Sequence, residues 1–161
     1  MGTSSLAAVL TIDGRQSSTA LAVARGTTRL LHSLGFSVVS ELPLASGRRA
    51  DLVALGADGE LWIVEIKSSV ADFRADQKWL DYRLHCDRLF FATTLDVPCD
   101  IFPPDVGLIV ADAFGAAMVC EAPEHRLHAA TRKSMMLAFA RTAALRLSAL
   151  ADPEGPYGLQ A

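Results

Sequence analysis

At 161 residues and a formal net charge of −3, the chain suits one domain whose core closes without disulfide staples, and its overall electrostatics do not announce a nucleic-acid binder. Apolar residues make up 51% and mean hydropathy is +0.29, yet no apolar run approaches the ~18 residues of a membrane helix. Three widely spaced cysteines, Cys86, Cys99 and Cys120, argue against both a disulfide framework and a Cys-rich zinc site.

Residues 1–16 carry little periodicity and read as a flexible arm; the apolar run Leu6–Leu10 is short and Arg15 is the first cation, so no secretory leader is expected and the chain is read as cytoplasmic. Ser17 and Ser18 cap a helix running to Leu34, on which Leu21, Ala24, Thr28 and Leu31 recur at helical spacing and which Gly35 ends. A strand over Phe36–Leu42 follows. Its Glu41 reads as an exposed strand-end carboxylate.

Arg48 and Arg49 lead into a second strand that opens at Asp51 and runs to Leu55, and Gly56-Ala57-Asp58-Gly59 reads as a hairpin turn into a third, Leu61–Lys67. Alternation puts Leu61, Ile63, Glu65 and Lys67 on one face and Trp62, Val64 and Ile66 on the other. In an antiparallel pairing the start of one strand meets the end of the next, so Asp51 comes near Glu65 and Lys67. Burying such charges costs several kcal/mol each, roughly, unless they are paired or hold a metal; the plain alternative is a Glu-Lys pair at a strand end.

Ser69-Val70-Ala71-Asp72 has the form of a capping box for a helix extending to about His85, with Phe73, Gln77, Leu80 and Leu84 on its inward face. A buried amide at Gln77 must find partners and reads as a satisfied core amide, while Lys78 and Tyr82 face nearer to solvent. Asp87–Thr93 is a further apolar strand, reached by a crossover. Pro98, Pro103 and Pro104 mark a loop, Val106–Ala111 and Ala116–Cys120 form a hairpin that finishes the sheet, and a helix over Thr131–Leu150 packs Met136, Phe139, Ala143, Leu147 and Leu150 inward. The pair His125 and His128 lacks a third ligand nearby and reads as surface. Residues 17–150 therefore form one domain, and 151–161, with Pro153, Gly155, Pro156 and Gly158, a flexible tail.

Asp51 followed by Glu65-Ile66-Lys67 resembles the PD-(D/E)xK motif of restriction-endonuclease-like nucleases, with Ala50 in place of the usual Pro. Arg49–Leu55, Glu65–Ser69 and Asp76-Gln77-Lys78-Trp79 more narrowly resemble the MmcB-like DNA repair proteins, over about residues 17–150. The order of Gln77 and Tyr82 is similar to the helix motif of RecB-like nucleases, at a different spacing, and this resemblance implies that Gln77 orients water or a phosphate oxygen. The resemblance implies an α/β fold with a restriction-endonuclease-like three-layer core, a mixed central sheet flanked by helices. It implies DNA and other repair proteins as partners.

Asp51 and Glu65, with Glu41 as a candidate third acid, offer hard oxygen ligands suited to Mg²⁺ or Mn²⁺, and Lys67 would orient water and offset charge on a phosphate. Arg48, Arg49, Arg74, Lys78, Tyr82, Arg132 and Lys133 are candidate DNA contacts, each also readable as solvated surface; for Arg132 and Lys133 a phosphate at a helix N-terminus would relieve their conflict with the helix dipole. The expected function is metal-dependent cleavage of DNA phosphodiesters in repair. The alternative is a catalytically silent nuclease-fold protein that binds DNA or scaffolds a repair complex.

Overall fold

The computed structural model describes residues 17–157, so the expected arm over 1–16 and the last four residues of the expected tail lie outside the described residues. Helix α1 spans Ser18–Ser33, and Ser17 Oγ accepts the Ala20 N–H at 3.1 Å as its N-cap. At the other end Gly35, at φ +88°, lets its own N–H and that of Phe36 reach back to the His32 and Leu31 carbonyls, each at 3.0 Å.

Six strands form one sheet in chain order: β1 (Ser37–Pro43), β2 (Arg49–Leu55), β3 (Leu61–Ile66), β4 (Arg88–Thr93), β5 (Gly107–Ala111) and β6 (Ala116–Cys120). The tight connections give antiparallel pairs β1–β2, β2–β3 and β5–β6, whereas the long ones give parallel pairs β3–β4 and β4–β5, so the sheet is mixed. Alternation along β3 sends Leu61 and Ile63 into a core with Phe91, Phe102, Met135 and Phe139. Val64 and Ile66 enter a second core with Val23, Leu31 and Phe90. Helix α1 thus covers one face, and the other is covered by α2 (Val70–Ala75), a 3-10 segment (Trp79–His85) and α3 (Ala129–Ala151). This is the expected three-layer α/β arrangement. Among the described residues no helix is long and apolar enough to cross a membrane.

Two helices depart from the periodicity reading. The single helix expected from Ser69 to His85 breaks at Asp76, which adopts ψ 101° and accepts the Lys78 N–H at 2.8 Å on its own carboxylate, a local bond that competes with the helical ladder. Phe73, before the break, packs on the core as expected, but after it Leu80 and Leu84 point outward, 55% and 70% exposed, and Trp79 and Tyr82 pack on the core instead. Helix α3 buries Met135 and Phe139, while Met136, Leu147 and Leu150 of the expected stripe are exposed. Its C-terminal half is held partly by Arg146, which donates to the Ser40 and Glu41 carbonyls of β1.

Asp87, only 2% exposed, joins the start of β3 to that of α3. Its carboxylate accepts the N–H groups of Leu61 (2.8 Å) and Leu127 (2.9 Å) and both terminal nitrogens of Arg132 (2.7 Å each). Burial pushes this carboxyl up, but these hydrogen bonds outweigh it and hold Asp87 below the usual carboxylate range. Asp87→Ala strands a guanidinium and two amides; urea unfolding should show a loss of about 3 kcal/mol or more.

Gly26 lets α1 approach the β5–β6 turn, since a Cβ there would lie 2.0 Å from the Asp112 carbonyl oxygen and 2.4 Å from that of Gly115. Gly26→Ala should therefore cost about 2 kcal/mol or more through overpacking, read as a thermal midpoint lowered by roughly 5 °C.

Candidate functional site

Main-chain pairing between β2 and β3 ends at Leu52 opposite Val64, and one step further along that register Asp51 faces Glu65. Here side chains take over from the ladder. The Ile66 N–H donates to Asp51 Oδ2 at 2.8 Å, and the Asp51 N–H donates to Glu65 Oε1 at 3.1 Å. Backbone amides deprived of strand carbonyls need other acceptors, and these two carboxylates provide them. The second oxygens, Asp51 Oδ1 and Glu65 Oε2, take no hydrogen bond from the described residues.

Glu65 is buried and Asp51 largely so. Burial pushes Asp51 up to about 6, aided by the negative charge of Glu41 and opposed by the Ile66 amide. Burial also raises Glu65 well above the ordinary range, and the neighbouring Asp51 charge adds to it. Two such groups side by side share protons as a pair, and a cation placed between them would displace those protons. The donor set fits Mg²⁺ or Mn²⁺, which bind through one or two carboxylates while keeping water and phosphate oxygens as further ligands. Among the described residues no group of three or more His, Cys, Asp or Glu side chains is arranged to hold a metal ion.

Lys67 follows Glu65 on the same face. Its N–H donates to the Ala92 carbonyl at 2.9 Å and its carbonyl accepts the Thr93 hydroxyl at 2.7 Å, so β4 fixes where the side chain starts. Its Nζ lies 2.7 Å from Asp76 Oδ2. Burial alone would lower the lysine, yet the Asp76 hydrogen bond and charge win and raise it; Asp76, which burial would raise, is correspondingly held down by Lys67. Sequence reasoning gave Asp76 no role, because on an uninterrupted helix it looks like one more solvated acid. Its only signal was its place in the run Asp76–Trp79.

These groups line one open cleft of about 470 Å³ with Arg48, Lys78 and Tyr82. Arg48 is paired with Asp81 at 2.7 Å, and the half-buried Tyr82 hydroxyl donates to the Arg49 carbonyl at 3.1 Å. Burial, followed by the charges of Glu65 and Asp51, raises the Tyr82 phenol further above its usual range.

Several expected placements are corrected. Gln77 is not on an inward face; the helix break turns it to solvent, where its amide donates to the Arg74 carbonyl at 3.3 Å. Glu41 is neither an exposed strand end nor gathered into a three-ligand cluster: it is buried at φ +51°, with Oε2 2.5 Å from Arg49 Nε. Arg49 is correspondingly engaged with Glu41, and Arg74 is exposed on α2 outside the cleft lining. Arg132 does not await a phosphate, because the Asp87 carboxylate already offsets its position near the helix N-terminus. It lines, with the exposed Lys133, a separate shallow groove at the start of α3.

A family model described as DNA repair protein MmcB-like matches residues 7–154. Among solved structures, a protein of unknown function from Silicibacter pomeroyi is 44% identical, with a TM-score of 0.85, over 91% of this chain and 99% of that one. A repair endonuclease from Pyrococcus abyssi is 17% identical, with a TM-score of 0.33, over 50% of this chain and 39% of that one, a likeness too slight to carry an argument. No curated protein matches the sequence.

The raised Asp51 fixes the sign of a pH effect. Unfolded, Asp51 loses its proton near 3.8, and folded near 6, so between those values the folded state holds a proton that the unfolded state has lost. The resulting penalty on the folded state grows as pH rises from about 4 to about 6 and is then constant. Asp51→Asn, which can still accept the Ile66 amide, should gain stability relative to wild type across that interval in EDTA, as measured by urea unfolding at stepped pH.

Proposed function

The chain belongs to the MmcB-like DNA repair protein family, and from that premise we propose that it is a metal-dependent deoxyribonuclease of PD-(D/E)xK type. The observation that carries this reading is the meeting of Asp51, Glu65 and Lys67 in one cleft, where one carboxylate oxygen of each acid accepts no hydrogen bond from the described residues. Asp51 and Glu65 would hold Mg²⁺ or Mn²⁺. The metal would supply Lewis-acid polarisation of a phosphate oxygen and a more acidic bound water.

The chain's own residues do the rest. Lys67, kept cationic by Asp76, directs its N–H groups at the scissile phosphate and stabilises the charge that builds there. Arg48, Lys78 and Tyr82 at the cleft rim offer contacts to flanking phosphate and sugar. A chain of net charge −3 gains its hold on DNA from these few groups, so its binding should depend only modestly on salt.

One observation favours a second reading, a DNA-binding or scaffolding member of a repair complex that does not cut. Lys67, Arg48 and Arg132 are all committed to acidic partners, which leaves a self-neutralised surface.

The test is cleavage of labelled branched, single-stranded and duplex DNA in Mg²⁺, Mn²⁺ or EDTA. The wild type should cut only with metal, Glu65→Gln should lose roughly a hundredfold or more in rate, and Lys67→Ala should lose a comparable factor while still binding metal. No cutting by the wild type, with DNA bound equally by Glu65→Gln, would establish the second reading.

A further inference from the structure

Lys67 stands two residues from Glu65, just past the end of β3 and about 7 Å along the chain, and its four-carbon stem is long enough to fold back onto the carboxylates. It does not do so: its ion pair is with Asp76, 2.7 Å away, and no ion pair joins it to Asp51 or Glu65. Asp76 is held for this task. One oxygen is fixed by the Lys78 N–H at 2.8 Å, its own N–H reaches the Phe73 carbonyl at 3.1 Å, and the break after α2 swings the other oxygen toward β3. Both side chains are well shielded, Lys67 at 8% and Asp76 at 15% exposure, so the attraction is weakly screened.

We propose that Asp76 is a positioning residue that draws the Lys67 ammonium off the Asp51–Glu65 pair and so keeps that pair open to a divalent cation. The physical choice is between two counter-ions for the same two carboxylates. An ammonium folded onto Asp51 and Glu65 would satisfy the oxygens a metal needs, and metal binding would then have to expel it. By giving Lys67 a carboxylate of its own, Asp76 separates the two cations. This rests on the reading of Asp51 and Glu65 as a metal site.

The test uses the full chain and its affinity for Mn²⁺ alone, measured by electron paramagnetic resonance at fixed pH and ionic strength. Asp76→Asn keeps an oxygen for the Lys78 amide and removes the charge; circular dichroism checks that it folds, and Asp76→Glu serves as the charge-retaining control. Asp76→Asn should weaken Mn²⁺ binding about tenfold or more, while Asp76→Glu stays within about threefold of wild type. In Asp76→Asn/Lys67→Met the competing ammonium is gone, and affinity should return to within about twofold of Lys67→Met. Unchanged affinity in Asp76→Asn, or a double variant as weak as Asp76→Asn, would overturn the proposal. If no variant binds Mn²⁺, wild type included, it is the metal reading that fails. A crystal structure of Asp76→Asn then decides the inference separately: Lys67 Nζ within hydrogen-bond distance of Glu65 supports it, and an unmoved Lys67 overturns it.

Discussion

Where β2 and β3 part company, two backbone amides are left inside the protein without strand carbonyls to receive them. The chain answers with the carboxylates of Asp51 and Glu65, and most features of the cleft follow from that substitution. The acids become structural acceptors on one oxygen, while the other takes no hydrogen bond from the described residues. Their burial raises both carboxyls above the ordinary range, which makes the site sensitive to anything that brings positive charge. The same acids line the cleft, so the backbone repair and the site's chemistry share residues.

The family-level outline was legible because it rests on short-range signals. Ser17, Gly35 and the Gly56–Gly59 turn punctuate the chain, and period-two alternation in β3 sorts Leu61 and Ile63 from Val64 and Ile66. The proximity of Asp51, Glu65 and Lys67 follows from hairpin geometry alone. What stayed hidden depends on tertiary choices that leave little trace in periodicity. Asp76 leaves the helix because its side chain captures a nearby amide and Lys67 at once, and that single event relocates Gln77, Leu80 and Leu84. Arg132 looked like a phosphate ligand only while Asp87, 45 residues earlier, was out of view.

Charge in this protein is organised as pairs rather than as a field. Arg48 with Asp81, Arg83 with Asp105, Arg88 with Glu60 and Arg132 with Asp87 link segments far apart in sequence, whereas Arg49 with Glu41 closes the β1–β2 turn and Lys67 with Asp76 spans α2. Such pairs fix orientation more than they add stability. Composition alone therefore says little about where a polyanion would be welcomed, since few of these cations are idle.

The unusual backbone at Glu41 bears on how the protein keeps its own sheet from growing. Strand β1 is an outer strand, and it carries Pro43, a residue at φ +51°, and carbonyls at Ser40 and Glu41 already taken by Arg146. An outer strand so bent and plugged is a poor template for a foreign strand, which guards against amyloid-like stacking and domain exchange at this margin. Self-association, if it occurs, is thereby steered to the opposite margin at β6 or to the helical layers.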